Sequence, residues 1–169
     1  MKKKHFIIFL NIFLFLSIQT AYSQKKKSVK KLNLKSVTES VISVEGGKNK
    51  SLKDSYTGFD KSGNVTSEIK YNSDGSIRKK TIFKYDEEGN KIEEAEYNGS
   101  GKLVSKVVNA YNAKGDKTTE IEYDANNVLL KKSTYVYDSR NLKTEKKIYN
   151  GGNVLIKTHT YSYEVNKDE

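Results

Sequence analysis

From Phe59 to Tyr163 the chain runs as short segments of alternating polar and apolar residues, each closed by an aromatic ring. Phe59, Tyr71, Tyr85, Tyr97, Tyr111, Tyr123, Tyr137, Tyr149 and Tyr163 follow at alternating steps of 12 and 14 residues, so two steps make a 26-residue repeat. Within a segment the alternation has period two. Ser76 to Tyr85 is expected to place Ile77, Thr81, Phe83 and Tyr85 on one face, with Arg78, Lys80 and Lys84 opposite. Thr119, Ile121 and Tyr123 likewise oppose Glu120 and Glu122. That period, with Tyr, Thr, Val and Ile in excess, predicts half-buried β-strands.

Punctuation follows each ring. An Asp or Asn opens it, and three residues later stand Gly63, Gly75, Gly89, Gly101 and Gly115, then Asn127, Asn141 and Asn153. An Asx side chain can bond backbone two residues on, and Gly or Asn tolerates positive φ. Together they specify a type I turn closed by a bulge. Each turn reverses the chain, so successive strands pair antiparallel. Ser36 to Val44 reads as a further strand, Glu45 to Asn49 as its turn, and Lys50 to Thr57 as the lead into the first repeat. Proline is absent, as uninterrupted ladders prefer. The prediction is an all-β antiparallel meander of about ten strands. Lys79, Glu93, Lys131 and Glu145 intrude on faces that also carry rings, so apolar supply is thin for a sandwich. A curled or spiral single sheet is expected, with a closed barrel as the alternative.

The first residues stand apart from this pattern. Lys2, Lys3, Lys4 and His5 precede an apolar run from Phe6 to Leu16, and Ala21-Tyr22-Ser23 offers small residues for cleavage before Gln24. Residues 1–23 therefore read as a signal peptide whose apolar run is short for a membrane span. Residues 24–35 read as a basic flexible arm and 36–169 as the β-hairpin repeat domain. Expectations follow of an exported protein, in the periplasm, on the outer surface or secreted, with no transmembrane span after cleavage. The chain has no cysteine, which excludes disulfides and a lipidated cysteine behind the signal.

Charge is unevenly placed. Without the three signal lysines, 28 basic residues face 21 acidic ones, a net of +7. Gln24 to Tyr56 holds nine lysines and three acids, whereas Thr57 to Glu169 holds 19 basic and 18 acidic residues. Near-neutral repeats, export and the lack of a groove-reading motif argue against nucleic acid as partner.

Candidate chemistry is sparse. Beyond the signal the only histidine is His159, within a predicted strand, and zinc sites built on Cys or several His are excluded. Glu87, Glu88, Glu93, Glu94 and Glu96 cluster near one hairpin, where a pair could serve glycoside hydrolysis or simply partner lysines across strands. No catalytic residue, metal or cofactor is assigned. The best binding candidates are Tyr71, Tyr97, Tyr123 and Tyr149, one column two strands apart and so spaced by roughly 9–10 Å. Such rings could stack on sugars or grip a protein, or could form the sheet's own core.

The stretches Tyr85-Asp86-Glu87-Glu88-Gly89-Asn90-Lys91-Ile92, Phe59-Asp60-Lys61-Ser62-Gly63-Asn64, Tyr123-Asp124 and Tyr137-Asp138 resemble the tyrosine-aspartate (YD) repeats of bacterial Rhs-type and related secreted β-repeat proteins. The resemblance covers Tyr56 to Tyr163 and implies a spiralling antiparallel sheet. In that family the sheet sometimes forms a shell around a toxin. This chain departs from it by its shortness and by Asn at Asn72, Asn98, Asn112 and Asn150, so neither shell nor toxin function is carried over. The functional expectation is a non-enzymatic exported binding or structural module at the bacterial envelope, partnered by polysaccharide or another envelope protein. The alternatives are a carbohydrate-active enzyme using a glutamate pair and an antitoxin-like protein that masks its partner.

Overall fold

The computed structural model describes residues 26–45 and 48–165. The expected signal peptide lies outside them, as do Gly46 and Gly47 of the first turn. Ten strands follow in chain order: β1 (Ser36–Glu45), β2 (Lys48–Phe59), β3 (Val65–Tyr71), β4 (Ile77–Tyr85), β5 (Lys91–Asn98), β6 (Leu103–Tyr111), β7 (Lys117–Asp124), β8 (Leu129–Tyr137), β9 (Lys143–Asn150) and β10 (Leu155–Thr160). They form one antiparallel sheet in the order β1 to β10, with β1 and β10 as its free edges, so the sheet is an open meander and no barrel closes.

The eight turns from β2 onward share one construction. In the β4–β5 turn the Gly89 N–H donates to the Asp86 carbonyl and the Asp86 N–H to the Asn90 carbonyl. Gly63, Gly75, Gly89, Gly101 and Gly115 have φ of +78° to +85°, and Asn127, Asn141 and Asn153 lie at +59° to +63°. The Oδ1 of Asp60, Asn98, Asn112, Asp124, Asp138 and Asn150 accepts the backbone N–H groups two and four residues on. At the β3–β4 turn Asp74 does this work instead, taking the Ser76 N–H at 2.8 Å.

Just past each turn the register shifts by one residue opposite the ring that closed the preceding strand. The extra residue is Arg78 in β4 and Val104 in β6. A one-residue shift transfers everything before it to the other face. Ile77 therefore leaves the side of Thr81, Phe83 and Tyr85 predicted for it and pairs with Tyr71. Uninterrupted alternation misplaces it because the bulge intervenes.

Directly paired residues share a face. One row of the front face runs Ile82, Ala95, Lys106, Tyr123, and another runs Lys84, Glu93, Val108, Ile121, Lys132, Tyr149. The back face carries Phe83, Glu94, Val107, Glu122 and Lys131 in one row. From β4 onward full burial is confined to small or polar positions between rings: Ala95 (2% exposed) in front, and Thr81, Asn109 and Ser133 behind. Apart from these positions, the described residues of β4 to β10 are half-buried or exposed. Both faces of the sheet meet solvent.

The described part of the segment expected as a flexible basic arm is built differently. Residues 26–31 form a single helical stretch that sets Lys26 and Lys30 against Gly63 of the β2–β3 turn and buries Val29, 3% exposed. The Lys35 carbonyl then accepts the Phe59 N–H at 2.9 Å. One valine among the lysines supplies the apolar anchor. At the opposite end of these strands, β3 pairs with β2 only from Ser55 to Phe59, so the rest of the β1–β2 hairpin projects as a two-stranded ribbon with Val41, Ile42 and Val44 exposed. Among the described residues no helix is long and apolar enough to cross a membrane.

Candidate functional site

The rings divide into two ladders on opposite faces and opposite edges. Tyr85, Tyr111 and Tyr137 end the even strands on the back face, and Tyr163 extends the series past β10. Their hydroxyls donate to the carbonyls of Val65, Lys91, Lys117 and Lys143 at 2.7 to 2.9 Å. Each acceptor is the first residue of the preceding odd strand, so every hydroxyl ties one strand's end to its neighbour's start. Burial raises the pKa of Tyr111 and Tyr137. This ladder is part of the frame.

Tyr71, Tyr97, Tyr123 and Tyr149 close the odd strands on the front face. They are half-buried, and among the described residues their hydroxyls make no hydrogen bond. Each has an aliphatic residue as its partner on the next strand: Ile77, Leu103, Leu129 and Leu155. On the strand before, Lys80, Lys106 and Lys132 lie directly opposite Tyr97, Tyr123 and Tyr149. A lysine–tyrosine–aliphatic triplet thus recurs with the repeat. The Lys106 ammonium sits 4.9 Å from the Tyr123 ring centroid and donates to Asn127 Oδ1 at 2.7 Å. An open cleft of 420 Å³ beside Tyr97 is lined by Ile77, Lys80, Ile82, Asn98, Gly99 and Gly101. A 220 Å³ cleft lies beside Tyr71, between Leu52 and Ser73.

The ladder runs obliquely. The row through Tyr123 crosses β5 at Ala95, two residues from Tyr97. Two strand spacings and a two-residue stagger separate successive rings by about 12 Å, wider than the strand count alone suggested.

Lysines without a carboxylate partner stand on both faces, but in different settings. Behind, Lys79 pairs with Glu96, Lys91 with Glu94, Lys117 with Glu120 at 2.8 Å and Lys131 with Glu122 at 2.6 Å, whereas among the described residues Lys143 and Lys146 have no carboxylate partner and lie over the Tyr135 ring. The Glu122 carboxylate raises the pKa of Lys131. On the front, Glu93 pairs with Lys84 and Glu145 with Lys147, each at 2.8 Å, raising the pKa of both lysines through the hydrogen bond and the carboxylate charge. Among the described residues Lys80, Lys106 and Lys132 have no carboxylate partner. These lysines were invisible as a group in the sequence, because only the register sets each one opposite a tyrosine. Their own 26-residue recurrence was the available signal.

Of the acidic candidates, Glu94 and Glu96 share the back face, each in an ion pair with a lysine, Lys91 and Lys79. Glu93 faces front on Lys84, whereas Glu94 faces back on Lys91. Asp86 is engaged in its turn: burial opposes ionisation, but hydrogen bonds from the Asn90 side chain and backbone prevail and lower its pKa. His159 lies on β10 opposite Lys146. Among the described residues no group of three or more His, Cys, Asp or Glu could hold a metal ion.

Residues 16–169 match a protein family described as "Uncharacterised protein". The chain belongs to that family. No curated protein matches it in sequence. Among solved structures it is similar to a protein of unknown function from Bacteroides fragilis NCTC 9343, at 17% identity, covering 78% of this chain and 96% of that one with a TM-score of 0.42. It is also similar to a porin-like protein from Bacteroides uniformis ATCC 8492, at 11% identity over 75% of this chain and 50% of that one, TM-score 0.36. TarM, at 14% identity, is covered over 32% of its length by 91% of this chain, TM-score 0.32.

Proposed function

We propose that this protein is an exported, non-enzymatic binding module that holds an envelope polysaccharide or another envelope protein through Tyr71, Tyr97, Tyr123 and Tyr149. One observation carries the reading: the two ladders differ in what their hydroxyls do. Back-face rings spend theirs on strand carbonyls, whereas front-face rings keep polar tips without a partner, flanked by aliphatic side chains and open clefts. A half-exposed tyrosine with a free tip offers a partner both a flat apolar surface and a donor. The likeness to tyrosine-aspartate repeats fits a scaffold role for the rest of the chain. For the hydrolase alternative, Glu93 and Glu94 stand on opposite sides of the sheet, where they cannot flank one glycosidic bond, and Glu94 and Glu96, which share a face, are each engaged by a lysine.

The test is capture of immobilised glycans and envelope proteins by the wild type and by Tyr97→Ala and Tyr123→Ala. Loss of capture with the melting temperature intact supports the reading. Unfolding of both variants assigns these rings to the frame and removes it. Glycan hydrolysis that vanishes in Glu93→Gln favours the enzyme instead.

A further inference from the structure

We infer that the front ladder takes a linear acidic polysaccharide, a polymer of carboxylated sugars, laid obliquely across β4 to β9. The inference rests on the tyrosine reading above and adds the ligand's charge. Lys80, Lys106 and Lys132 recur at the repeat period and stand directly opposite Tyr97, Tyr123 and Tyr149. On the same face Lys84 and Lys147 are each held by a glutamate, and these three are not; the back-face lysines that lack one, Lys143 and Lys146, lie over the Tyr135 ring instead.

A ligand crossing the ladder therefore meets a ring, an aliphatic side chain and an unneutralised ammonium at every step of about 12 Å. Flat rings suit the apolar faces of sugars, and regularly spaced ammonium groups suit a chain whose carboxylates recur along its length. A short anion would touch a single lysine in water and gain little. A polymer engages three together, and each contact after the first is intramolecular. Lys106 over the Tyr123 ring shows how one ammonium and one ring present a joint surface.

The probes are polygalacturonate, alginate and fully methyl-esterified polygalacturonate, which keeps the backbone and loses the charge. The wild type is expected to bind at least one polyuronate, to bind the ester weakly or not at all, and to lose affinity as sodium chloride is raised. The triple variant Lys80→Gln, Lys106→Gln, Lys132→Gln should bind about tenfold or more weakly with its melting temperature preserved. The back-face control Lys79→Gln, Lys131→Gln should bind as the wild type does. Failure to bind either polyuronate, equal binding of the ester, or a triple variant that binds normally overturns the inference. So does tighter binding of single-stranded DNA or of vesicles containing anionic lipid. If the triple variant still captures a neutral glycan that Tyr97→Ala has lost, the charge inference falls and the tyrosine reading stands. If the triple variant unfolds, single substitutions at Lys80 and Lys132, neither of which makes a side-chain bond within the described structure, give the same comparison.

Discussion

At the first position of most turns the bonding atom is Oδ1, which aspartate and asparagine share; Asp138 accepts from Arg140 and Leu142 as Asn150 accepts from Gly152 and Val154. Asparagine can therefore make the same backbone bonds, but only aspartate makes the turn sensitive to acid, and at Asp60, Asp86 and Asp138 only the carboxylate can also accept at Oδ2, from Asn64, Asn90 and Arg140. The Leu142 N–H, followed by the bonds to Arg140, holds the pKa of Asp138 below its ordinary value. A depressed folded pKa contributes stability that is present above about pH 4 and is lost as pH falls through the folded value. Asp138→Asn should flatten part of the acid-induced decline in urea midpoint, and an unchanged slope would assign the decline to other groups. The tyrosines give a second contrast. Tyr111→Phe removes a hydroxyl bonded to the Lys91 carbonyl and is expected to cost about 1 kcal/mol in chemical denaturation. Tyr97→Phe removes a hydroxyl without a partner and should be close to neutral.

The hairpin is the element, and its turn chemistry lies within five consecutive residues. That is why the punctuation after each ring could be read without coordinates. Gly101 has φ +78°, and a Cβ built there meets nothing within 4 Å, so a substitution pays for backbone conformation alone. Gly101→Ala should cost about 1–2 kcal/mol, and Gly101→Asn clearly less, since Asn127 holds the same place at φ +60°. Equal losses in thermal melts would refute the equivalence of these positions. The residue after each turn was less legible. Nothing local marks Arg78 or Val104 as an extra residue, because a bulge is defined by the strand opposite it. The assignment of Ile77 to the wrong face followed from that. The seating of this helix on the β2–β3 turn was hidden for the same reason: the contacts of Lys26 and Lys30 with Gly63 join segments far apart in the chain.

Across the whole molecule, stability is a sum over neighbouring hairpins, since each strand touches only the one before and the one after. Excision of one full repeat, residues 98–123, joins Tyr97 to Asp124 and keeps both ladders in phase. That shortened chain should retain β-sheet circular dichroism and melt at a lower temperature. Removal of a single strand with its turn should abolish folding, because it puts an odd strand where an even one belongs and exchanges the two faces. If both deletions behave alike, the repeat is not the folding unit.

Period, strand direction, turn type and the count of strands were determined by the sequence alone, because each depends on residues close together in the chain and recurring at a constant interval. An open edge instead of a closed barrel, the obliqueness of the ladders, and the division of the rings into a bonded and an unbonded set were decided only by tertiary structure. Those outcomes depend on register: one extra residue per hairpin determines which face a side chain occupies and which lysine a tyrosine meets, and pairing across strands leaves no mark in the order of residues along either one.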